Sequence, residues 1–276
     1  MEEVLCPGNV AVVTGAASGI GQALAVRLSE LGMRVAVADV NEEALSETSG
    51  MMLGSGHLAA TVDVRDSEQV DAFADRVFTS LGPVQLLCNN AGIVGEYGVP
   101  IWETSPEDWL RVMAVNVVGV ANGVRAFVPR MLSAAVPGHV MNTASIAGLV
   151  LPPGAIAPSY SASKHAIIAL TDSLRVHLAE RGAPIAVTAL CPGPVATNIV
   201  RNSPDMQRTL PTDAGPDSSR DTPNLPGHGS GAYTQLTPHD IVKAAEAAIR
   251  SGRPYCFPHG GADELLRERF AALLSV

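Results

Sequence analysis

Short apolar runs alternate with amphipathic stretches along the chain, and this alternation limits the possible fold more than any other feature. Asn9–Thr14 is a continuous β-branched run, which is typical of a strand buried on both faces. Ile20–Leu31 follows with leucines at helical spacing, and Gly32 ends the pattern. Similar runs predict strands at Arg34–Asp39, His57–Val62, Gln85–Cys88, His139–Thr143, Ile185–Cys191 and Tyr255–Phe257.

Helix signals separate these strands. Ser105-Pro106 and Thr237-Pro238 each combine a capping side chain with proline at the first helical position. The predicted helices are Glu42–Ser49, Asp66 or Ser67 to Leu81, Ser105–Ser133, Ser159–Arg181, Thr237–Ser251 and Asp263–Leu274. The alternation predicts one α/β domain over residues 1–276, with a Rossmann-like, doubly wound fold. Its parallel sheet has seven strands and carries helices on both faces.

One long segment interrupts the alternation. Residues 198–236 comprise 39 positions, of which Pro, Gly and Ser supply 13. A loop of this length is uncommon in a compact domain and is usually a lid or a disordered insert. Because it follows the carboxyl end of the sixth strand, where open α/β sheets bind ligands, we interpret it as a flexible substrate lid. An inert insert is the alternative.

Charge and composition exclude several classes of function. The net charge is −9 and aromatic residues are 4 % of the chain, so the sequence lacks the basic surface and stacking rings of a nucleic-acid-binding protein. The four cysteines and seven histidines show no metal-ligand spacing, so no metal site is predicted. No signal-like N-terminus and no long apolar run occur, so we expect a cytoplasmic protein with reduced thiols and no membrane association.

A glycine-rich turn joins the first predicted strand to the first predicted helix. Gly15, Gly19 and Gly21 follow the pattern T-G-x-x-x-G-x-G, which differs from G-x-G-x-x-G because position 24 is Leu24. Glycines here allow a tight turn and let the backbone approach a diphosphate at a helix N-terminus. The turn therefore predicts a nucleotide site.

The second strand ends at Asp39, 18 residues after Gly21. A carboxylate at this point can accept both ribose hydroxyls of adenosine and would repel a 2′-phosphate. Neither Ser18 nor Val40 supplies a base that would offset this repulsion, so the sequence favours NAD over NADP. The alternative role for Asp39 is to cap a helix ahead of Asn41.

Tyr160 and Lys164 lie four residues apart near the start of a predicted helix, so their side chains share one face. A phenol has a pKa of about 10, and a nearby ammonium favours its ionised form. Lowering that pKa to about 7 requires ~4 kcal/mol, which Lys164 and a positively charged nicotinamide could supply together. Ser145 ends the fifth strand, where its hydroxyl could hold a substrate oxygen that Tyr160 also binds. The spacing Tyr-x-x-x-Lys by itself is also common in purely structural settings.

In their order along the chain, these motifs resemble those of the short-chain dehydrogenase/reductase family. Besides the glycine-rich turn, they include Asn89–Gly92 (N-N-A-G), a lone Asn116, Ser145 ahead of Tyr-x-x-x-Lys, and Cys191–Gly193 (C-P-G). The resemblance covers about residues 8–197. Each motif alone is weakly specific, whereas all of them in order are very specific. The resemblance implies a Rossmann-like fold and an oxidoreductase that uses a nicotinamide dinucleotide.

The resemblance also implies a role for individual residues. Tyr160 resembles the general acid/base, and Lys164 resembles the residue that lowers its pKa and holds the nicotinamide ribose. Ser145 resembles the group that stabilises the substrate oxygen, and Asn116 the helix-kinking residue that anchors a proton-relay water. The residues implied to contact the cofactor are Gly15, Ser18, Gly19, Ile20, Gly21, Asp39, Asp63, Val64, Asn90, Ala91, Gly92, Tyr160, Lys164, Pro192, Gly193, Val195 and Thr197.

These cofactor residues divide along the length of a dinucleotide. By resemblance, Asp63 and Val64 belong to the adenine pocket, and Asn90–Gly92 to the ribose and nicotinamide. Residues of Pro192–Thr197 would hold the carboxamide end. The segment Tyr255–His259 and the helix after it resemble a poorly characterised branch of bacterial members.

The chain departs from the family in the spacing of two catalytic residues. Ser145 and Tyr160 are 15 residues apart, slightly more than is usual, and the extra residues fall in Leu149–Pro158. We expect them to reshape the substrate pocket without disturbing the catalytic pair. No charged residue lies between Ile146 and Pro158, so we expect an apolar, cyclic or terpenoid-like substrate.

Three functions fit these residues. The first is an NAD-dependent oxidoreductase that interconverts a secondary alcohol and a ketone, with Tyr160 taking the hydroxyl proton. The second is a non-catalytic NAD-binding sensor or scaffold, which usually lacks the tyrosine or the lysine, although both are present here. The third retains the same residues but dehydrates or epimerises its substrate. Apolar faces on Ser105–Ser133 and Ser159–Arg181 predict a homo-oligomer, either a tetramer or a dimer.

Overall fold

The computed structural model describes residues 3–150, 157–197, 199 and 235–275. Within these ranges, seven parallel strands form one sheet in the order β3-β2-β1-β4-β5-β6-β7. The strands are β1 (Val10–Thr14), β2 (Arg34–Asp39), β3 (Leu58–Thr61), β4 (Val84–Asn89), β5 (Gly138–Thr143), β6 (Ile185–Leu190) and β7 (Tyr255–Cys256). The predicted seven-stranded parallel sheet is confirmed, with strand ends that differ by a residue or two.

The helices connect these strands, and their caps follow the sequence signals. The α-helices are α1 (Gly19–Glu30), α2 (Glu42–Met51), α3 (Ser67–Ser80), α4 (Pro106–Met113), α5 (Gly119–Ala134), α6 (Pro158–Glu180), α7 (Pro238–Ser251) and α8 (Ala262–Leu274). Asp66 accepts hydrogen bonds from the amides of the second and third residues of α3, and Ser105 accepts one from the amide of the third residue of α4. Thr237 and Asp240 form a reciprocal capping box at α7.

Two apolar layers hold the helices to opposite faces of the sheet, as the doubly wound fold requires. On one face, Leu24 of α1 and Ile241 of α7 are buried against inward-facing valines of β1 and β2. On the other, α3, α5 and α6 pack around Phe127, whose ring meets that of Phe73 edge to face at 6.0 Å. Burial of each such side chain contributes roughly 2 kcal/mol to the free energy of unfolding. These layers fix the carboxyl ends of the strands on one edge, where the candidate site lies.

The helix predicted at Ser105–Ser133 is interrupted. A π-helical turn at Ala114–Val118 joins α4 to α5. The wider turn carries Asn116, which is completely buried. By length and composition, Pro106–Ala134 could span a membrane, but half of its most apolar window is buried within the fold. Because α5 packs on α3 and β4, we interpret this stretch as a core helix.

The predicted substrate lid lies almost entirely outside the described residues, and its role remains a prediction. The two described ends of this connection meet, because Val195 and Leu236 form a parallel bridge. The middle of the Leu149–Pro158 loop, residues 151–156, is likewise outside the described part of the chain.

Candidate active site

The glycine-rich turn follows β1 directly and leads into the first turn of α1. Gly15 and Gly19 have φ values of +66° and +56°, a region that strains other residues. A Cβ on Gly15 would come within 2.6 Å of the Ala91 Cα, and one on Gly19 within 3.0 Å of the Thr197 side chain. The turn is therefore pressed between the ends of β4 and β6, and the N-terminus of α1 beside it suits a diphosphate.

Asp39 points toward this turn from the end of β2. Its carboxylate accepts hydrogen bonds from the Ala17 amide at 3.0 Å and from the Asn41 amide at 3.0 Å. The alternative role as a helix cap is wrong, because the Asn41 side chain caps α2 instead. The Asp39 carboxylate is therefore held beside the glycine-rich turn.

Asp63 and Val64, the residues implied for an adenine pocket, lie just after β3. Asp63 binds the Arg65 guanidinium through both oxygens, and this pairing lowers the pKa of the Asp63 carboxyl. The Val64 carbonyl accepts a hydrogen bond of 2.9 Å from the buried Asn122 of α5. No sequence signal pointed to Asn122, because its partner lies 58 residues away.

The N-N-A-G segment at the end of β4 connects neighbouring strand ends by hydrogen bonds. The Asn90 side chain donates to the Thr14 and Gly15 carbonyls at 3.1 and 3.2 Å. Its oxygen accepts from Thr143 of β5 at 3.1 Å. The amides of Asn90 and Ala91 both donate to the Thr14 hydroxyl. Asn90 thus joins the ends of three neighbouring strands. Because its side-chain amide is used in these bonds, the backbone of the segment is the part left to line a ligand.

Lys164 is buried at the centre of the catalytic half of the site, with 2 % of its surface exposed. Its ammonium donates to the Thr143 carbonyl at 2.8 Å and lies 5.4 Å from the centre of the Tyr160 ring. A Cβ on Gly92 would come within 3.5 Å of the same ammonium and 3.4 Å of Asn116 Oδ1. Burial lowers the pKa of Lys164 to about 8.

Tyr160 and Ser145 meet beside Lys164. In the polypeptide alone, burial raises the pKa of Tyr160, and the nearby Ser145 hydroxyl only partly opposes this. The lowering expected from Lys164 together with an oxidised nicotinamide stays a prediction. Ionisation of the phenol therefore depends on further positive charge in the site, which an oxidised nicotinamide would carry.

Asn116 locks the π turn to the neighbouring elements. Its amide group accepts from the Ile93 amide at 2.9 Å and donates to the Ile93 carbonyl at 3.0 Å. It also donates to Ser163 at 2.9 Å, and Ser163 donates to the Tyr160 carbonyl at 2.7 Å. The side chain thus connects the loop after β4 to the turn of α6 that carries Tyr160.

A second buried network, missed by sequence reasoning, supports the same turn from another side. Asp108 of α4 is 2 % exposed and accepts hydrogen bonds from Ser159 at 2.5 Å and from the Glu96 amide at 3.0 Å. It also forms an ion pair with Arg111. Asp108 lies in the first turn of α4, and no sequence pattern connects it to Ser159, which is 51 residues away.

The Pro192–Thr197 turn closes the site above β6. Ser145 donates to the Pro192 carbonyl at 3.2 Å, so the catalytic serine and this turn are joined. At its other end, Thr197 lies against Gly19. The structure therefore brings every residue of the sequence-predicted site to one edge of the sheet. Within the described ranges, no cluster of three or more His, Cys, Asp or Glu could hold a metal ion.

Comparison with known proteins decides the family. The family profile described as short chain dehydrogenase matches residues 9–208. The chain belongs to the short-chain dehydrogenase/reductase family. A relative from Streptomyces exfoliatus, 1-deoxy-11-beta-hydroxypentalenate dehydrogenase, is 38 % identical over 264 residues, which is 95 % of this chain and 87 % of the relative.

Solved structures of the family agree in fold. A short chain dehydrogenase/reductase from Burkholderia phymatum in complex with NAD superposes with a TM-score of 0.82 at 36 % identity, covering 97 % of this chain and 94 % of that one. Levodione reductase superposes with a TM-score of 0.76 at 25 % identity, covering 93 % and 98 %. The protein is thus an oxidoreductase that acts on CH–OH groups and interconverts an alcohol and a ketone with a nicotinamide cofactor.

The site geometry fits that cofactor. The glycine turn packs closely on the ends of β4 and β6, the N-terminus of α1 follows it directly, and the Asp39 carboxylate accepts from the Ala17 amide within it. Lys164 and the Pro192–Thr197 turn lie at the other end of the site. The sensor alternative gains no support from these observations, because the tyrosine and lysine that such proteins usually lack are present and lie together.

Proposed function

We propose that this protein is an NAD-preferring dehydrogenase/reductase of an apolar secondary alcohol and the corresponding ketone. The observation that carries the proposal is the convergence of Ser145, Tyr160, Lys164 and Asn116 at the end of the site opposite Asp39. When bound, the nicotinamide supplies the hydride acceptor for oxidation or the hydride donor for reduction.

The chain's own residues manage the proton. Tyr160 takes the proton from the substrate hydroxyl during oxidation and returns it during reduction. Ser145 holds the same oxygen and keeps it within reach of the phenol. Lys164 contributes positive charge near the phenol and, by resemblance to the family, binds the nicotinamide ribose. Asn116 ties the turn that carries Tyr160 to the loop after β4, which fixes the phenol in place.

The arrangement of charges at the ribose end supports NAD over NADP. Asp39 would repel a 2′-phosphate. Arg65 follows β3 nearby, but its guanidinium is engaged by both oxygens of Asp63. Arg34 begins β2, at the opposite edge of the sheet, and binds the Gly8 carbonyl. Neither arginine is therefore placed to receive a 2′-phosphate.

Apolar side chains beside Ser145 support an apolar substrate. Ile146 and Val150 follow the serine and are buried, and Leu265 and Leu266 of α8 pack against them. The similar protein from Streptomyces exfoliatus is named as the dehydrogenase of a hydroxylated compound, which supports oxidation of an alcohol. The same lining would disfavour sugars and other polyols, whose hydroxyls would lose their water without gaining partners.

We also propose a homo-oligomer, a tetramer or dimer, in the cytoplasm. Leu110, Val118 and Val176 on the long helices are 73 %, 47 % and 54 % exposed, so these helices present apolar surface. All four cysteines lie in described residues and none forms a disulfide, which suits a reducing compartment. Light scattering after size-exclusion chromatography tests the assembly, and a monomeric mass would contradict it.

The function is tested by measuring cofactor reduction with NAD and with NADP over a panel of secondary alcohols. The panel pairs cyclic hydrocarbon alcohols with polyols of similar size. We expect turnover with NAD and a cyclic alcohol. The kcat/KM should be at least tenfold lower for the polyols and for NADP, a factor that corresponds to about 1.4 kcal/mol. Preference for NADP would contradict the role of Asp39, and equal turnover of polyols would contradict the apolar pocket.

A further inference from the structure

Side-chain contacts anchor β7 and the segment after it to α6. The Tyr255 hydroxyl donates to both oxygens of Asp172 on α6, at 2.6 and 2.8 Å. The Arg175 guanidinium lies 5.1 Å above the Tyr255 ring, and the Phe257 ring stacks on it at 6.2 Å. The chain that leaves β7 is therefore held in a fixed position against α6.

This segment places His259 against the Pro192–Thr197 turn of the candidate site. The imidazole is 7 % exposed. Its Nδ1 lies 3.0 Å from the Gly193 amide, and its Nε2 lies 2.9 Å from the Pro194 carbonyl. An amide can only donate and a carbonyl can only accept, so the ring is neutral with its proton on Nε2.

Several hydrogen bonds hold this turn, and His259 provides two of them. Pro192 and Pro194 have no amide hydrogen, so Gly193 supplies the amide donor of this short stretch, and His259 accepts it. A Cβ on Gly193 would come within 3.2 Å of the imidazole ring, so the close approach favours glycine. The Pro194 carbonyl accepts from both His259 and the Leu236 amide.

The opposite side of the turn is bonded to the catalytic half. The Pro192 carbonyl accepts from the Ser145 hydroxyl at 3.2 Å and from the Ile146 amide at 2.9 Å. The turn therefore lies between Ser145 on one side and His259 on the other. Loss of the His259 contacts would leave the Gly193 amide without its partner and loosen the turn on that side.

We propose that His259 is a positioning residue for the nicotinamide end of the cofactor. It acts by fixing the turn that would receive the carboxamide, and it does not touch the reacting atoms. This inference rests on the proposed function, since the Pro192–Thr197 turn is assigned to the carboxamide there. His259 bonds to the Gly193–Pro194 end of this turn, whereas the glycine-rich turn, assigned to the other half of the dinucleotide, meets the opposite end at Thr197.

The test compares the binding of NADH with that of ADP-ribose, which lacks the nicotinamide. In His259→Phe, a ring of similar size replaces the imidazole and both hydrogen bonds are lost. We expect NADH affinity to fall about tenfold, as loss of one to two net hydrogen bonds implies, while ADP-ribose affinity changes less than about twofold. His259→Gln retains a donor and an acceptor and should recover part of the NADH affinity.

Two further variants keep the result interpretable. Cys256→Ala removes a buried side chain from the same strand but leaves both imidazole contacts, so it should lower the Tm without changing the ratio of the two affinities. Gly193→Ala places a Cβ against the imidazole and should repeat the selective loss of NADH affinity even if His259→Phe does not fold. Equal loss of NADH and ADP-ribose affinity, or no loss of either, would overturn the inference. Failure of the unmodified protein to bind NADH would instead refute the proposed function.

Discussion

The two halves of the candidate site differ in the chemical groups that form them. The dinucleotide half consists of backbone brought close to backbone: Gly15 and Gly19 adopt positive φ, and Gly15 approaches Ala91 too closely for a side chain. The catalytic half consists of buried polar side chains, with Asn116 at 0 % and Lys164 at 2 % exposure. The first half therefore depends on local geometry, and the second on polar groups kept out of water by the whole fold.

This difference decides how each half should fail. A substitution in the dinucleotide half should disturb binding and folding together, because it moves the backbone. A substitution in the catalytic half should remove chemistry, and at the buried charge of Lys164 it should change stability little or even favourably, because a buried charge is costly to fold.

Lys164→Met provides the largest expected effect. It should lower kcat by about 10³-fold, within the range attributed to general acid–base catalysis, because the positive charge beside Tyr160 is lost. NADH affinity should fall much less. Steady-state kinetics and fluorescence titration of NADH measure the two effects. Lys243→Met, at an exposed lysine of α7, is the matched control and should leave both unchanged. Retention of activity within tenfold in Lys164→Met would contradict the account.

Gly15→Ala should disrupt folding and cofactor binding in the dinucleotide half. Positive φ and overlap with Ala91 together should cost roughly 3 kcal/mol of unfolding free energy and reduce NADH affinity severely. Gly8→Ala is the control, since Gly8 also has positive φ, at +84°, but an added Cβ would meet nothing within 4 Å. It should cost about 1 kcal/mol and leave NADH binding intact. Equal losses of unfolding free energy in the two variants, measured by chemical denaturation, would show that backbone strain alone lowers the stability and that the close approach to Ala91 does not.

Two asparagines of one helical stretch sharpen the comparison. Asn116→Ala breaks the bonds to Ile93 and Ser163 and should lower kcat about tenfold or more. Asn122→Ala removes the bond to the Val64 carbonyl, and should raise the KM for NAD a few-fold with kcat unchanged. Each variant should lose about 1–2 kcal/mol of stability. Steady-state kinetics at varied NAD separates the two patterns, and identical patterns would refute the division into halves.

The smallest effect concerns pH and stability. Burial lowers the pKa of Lys164 to about 8 from 10.5, so between these values the unfolded chain binds more protons than the folded one. The stability of the folded protein at this site therefore rises with pH across that window, and the buried ammonium is a cost at pH 7. Lys164→Met should have a Tm equal to or above that of the unmodified protein at pH 7, and the gap should narrow toward pH 9.5. A gap that widens with pH would contradict this sign.

The sequence was sufficient for the dinucleotide half because its signals are local. Gly15 and Asp39 each follow an apolar strand directly, so the position of the strand end places them. The cofactor and catalytic residues predicted by resemblance also fall at one sheet edge, because parallel strands present their carboxyl ends together. The helix-cap alternative for Asp39 failed because Asn41, two residues later, does the capping.

What the sequence could not supply was long-range burial. Asp108 and His259 reach partners 51 and 66 residues away, and neither spacing nor periodicity marks such a contact. The burial of Tyr160 is a further example. The four-residue spacing to Lys164 is visible in the sequence, whereas the burial that raises the pKa of the phenol is a property of the folded protein.

The central claim is that Tyr160 moves the substrate proton. The most direct measurement pairs NADH titration with single-turnover oxidation of an alcohol in the unmodified protein and in Tyr160→Phe. The account predicts a dissociation constant within about threefold and a rate lowered by about 10³-fold. A rate within tenfold of the unmodified protein, with NADH binding intact, would contradict the assignment of Tyr160.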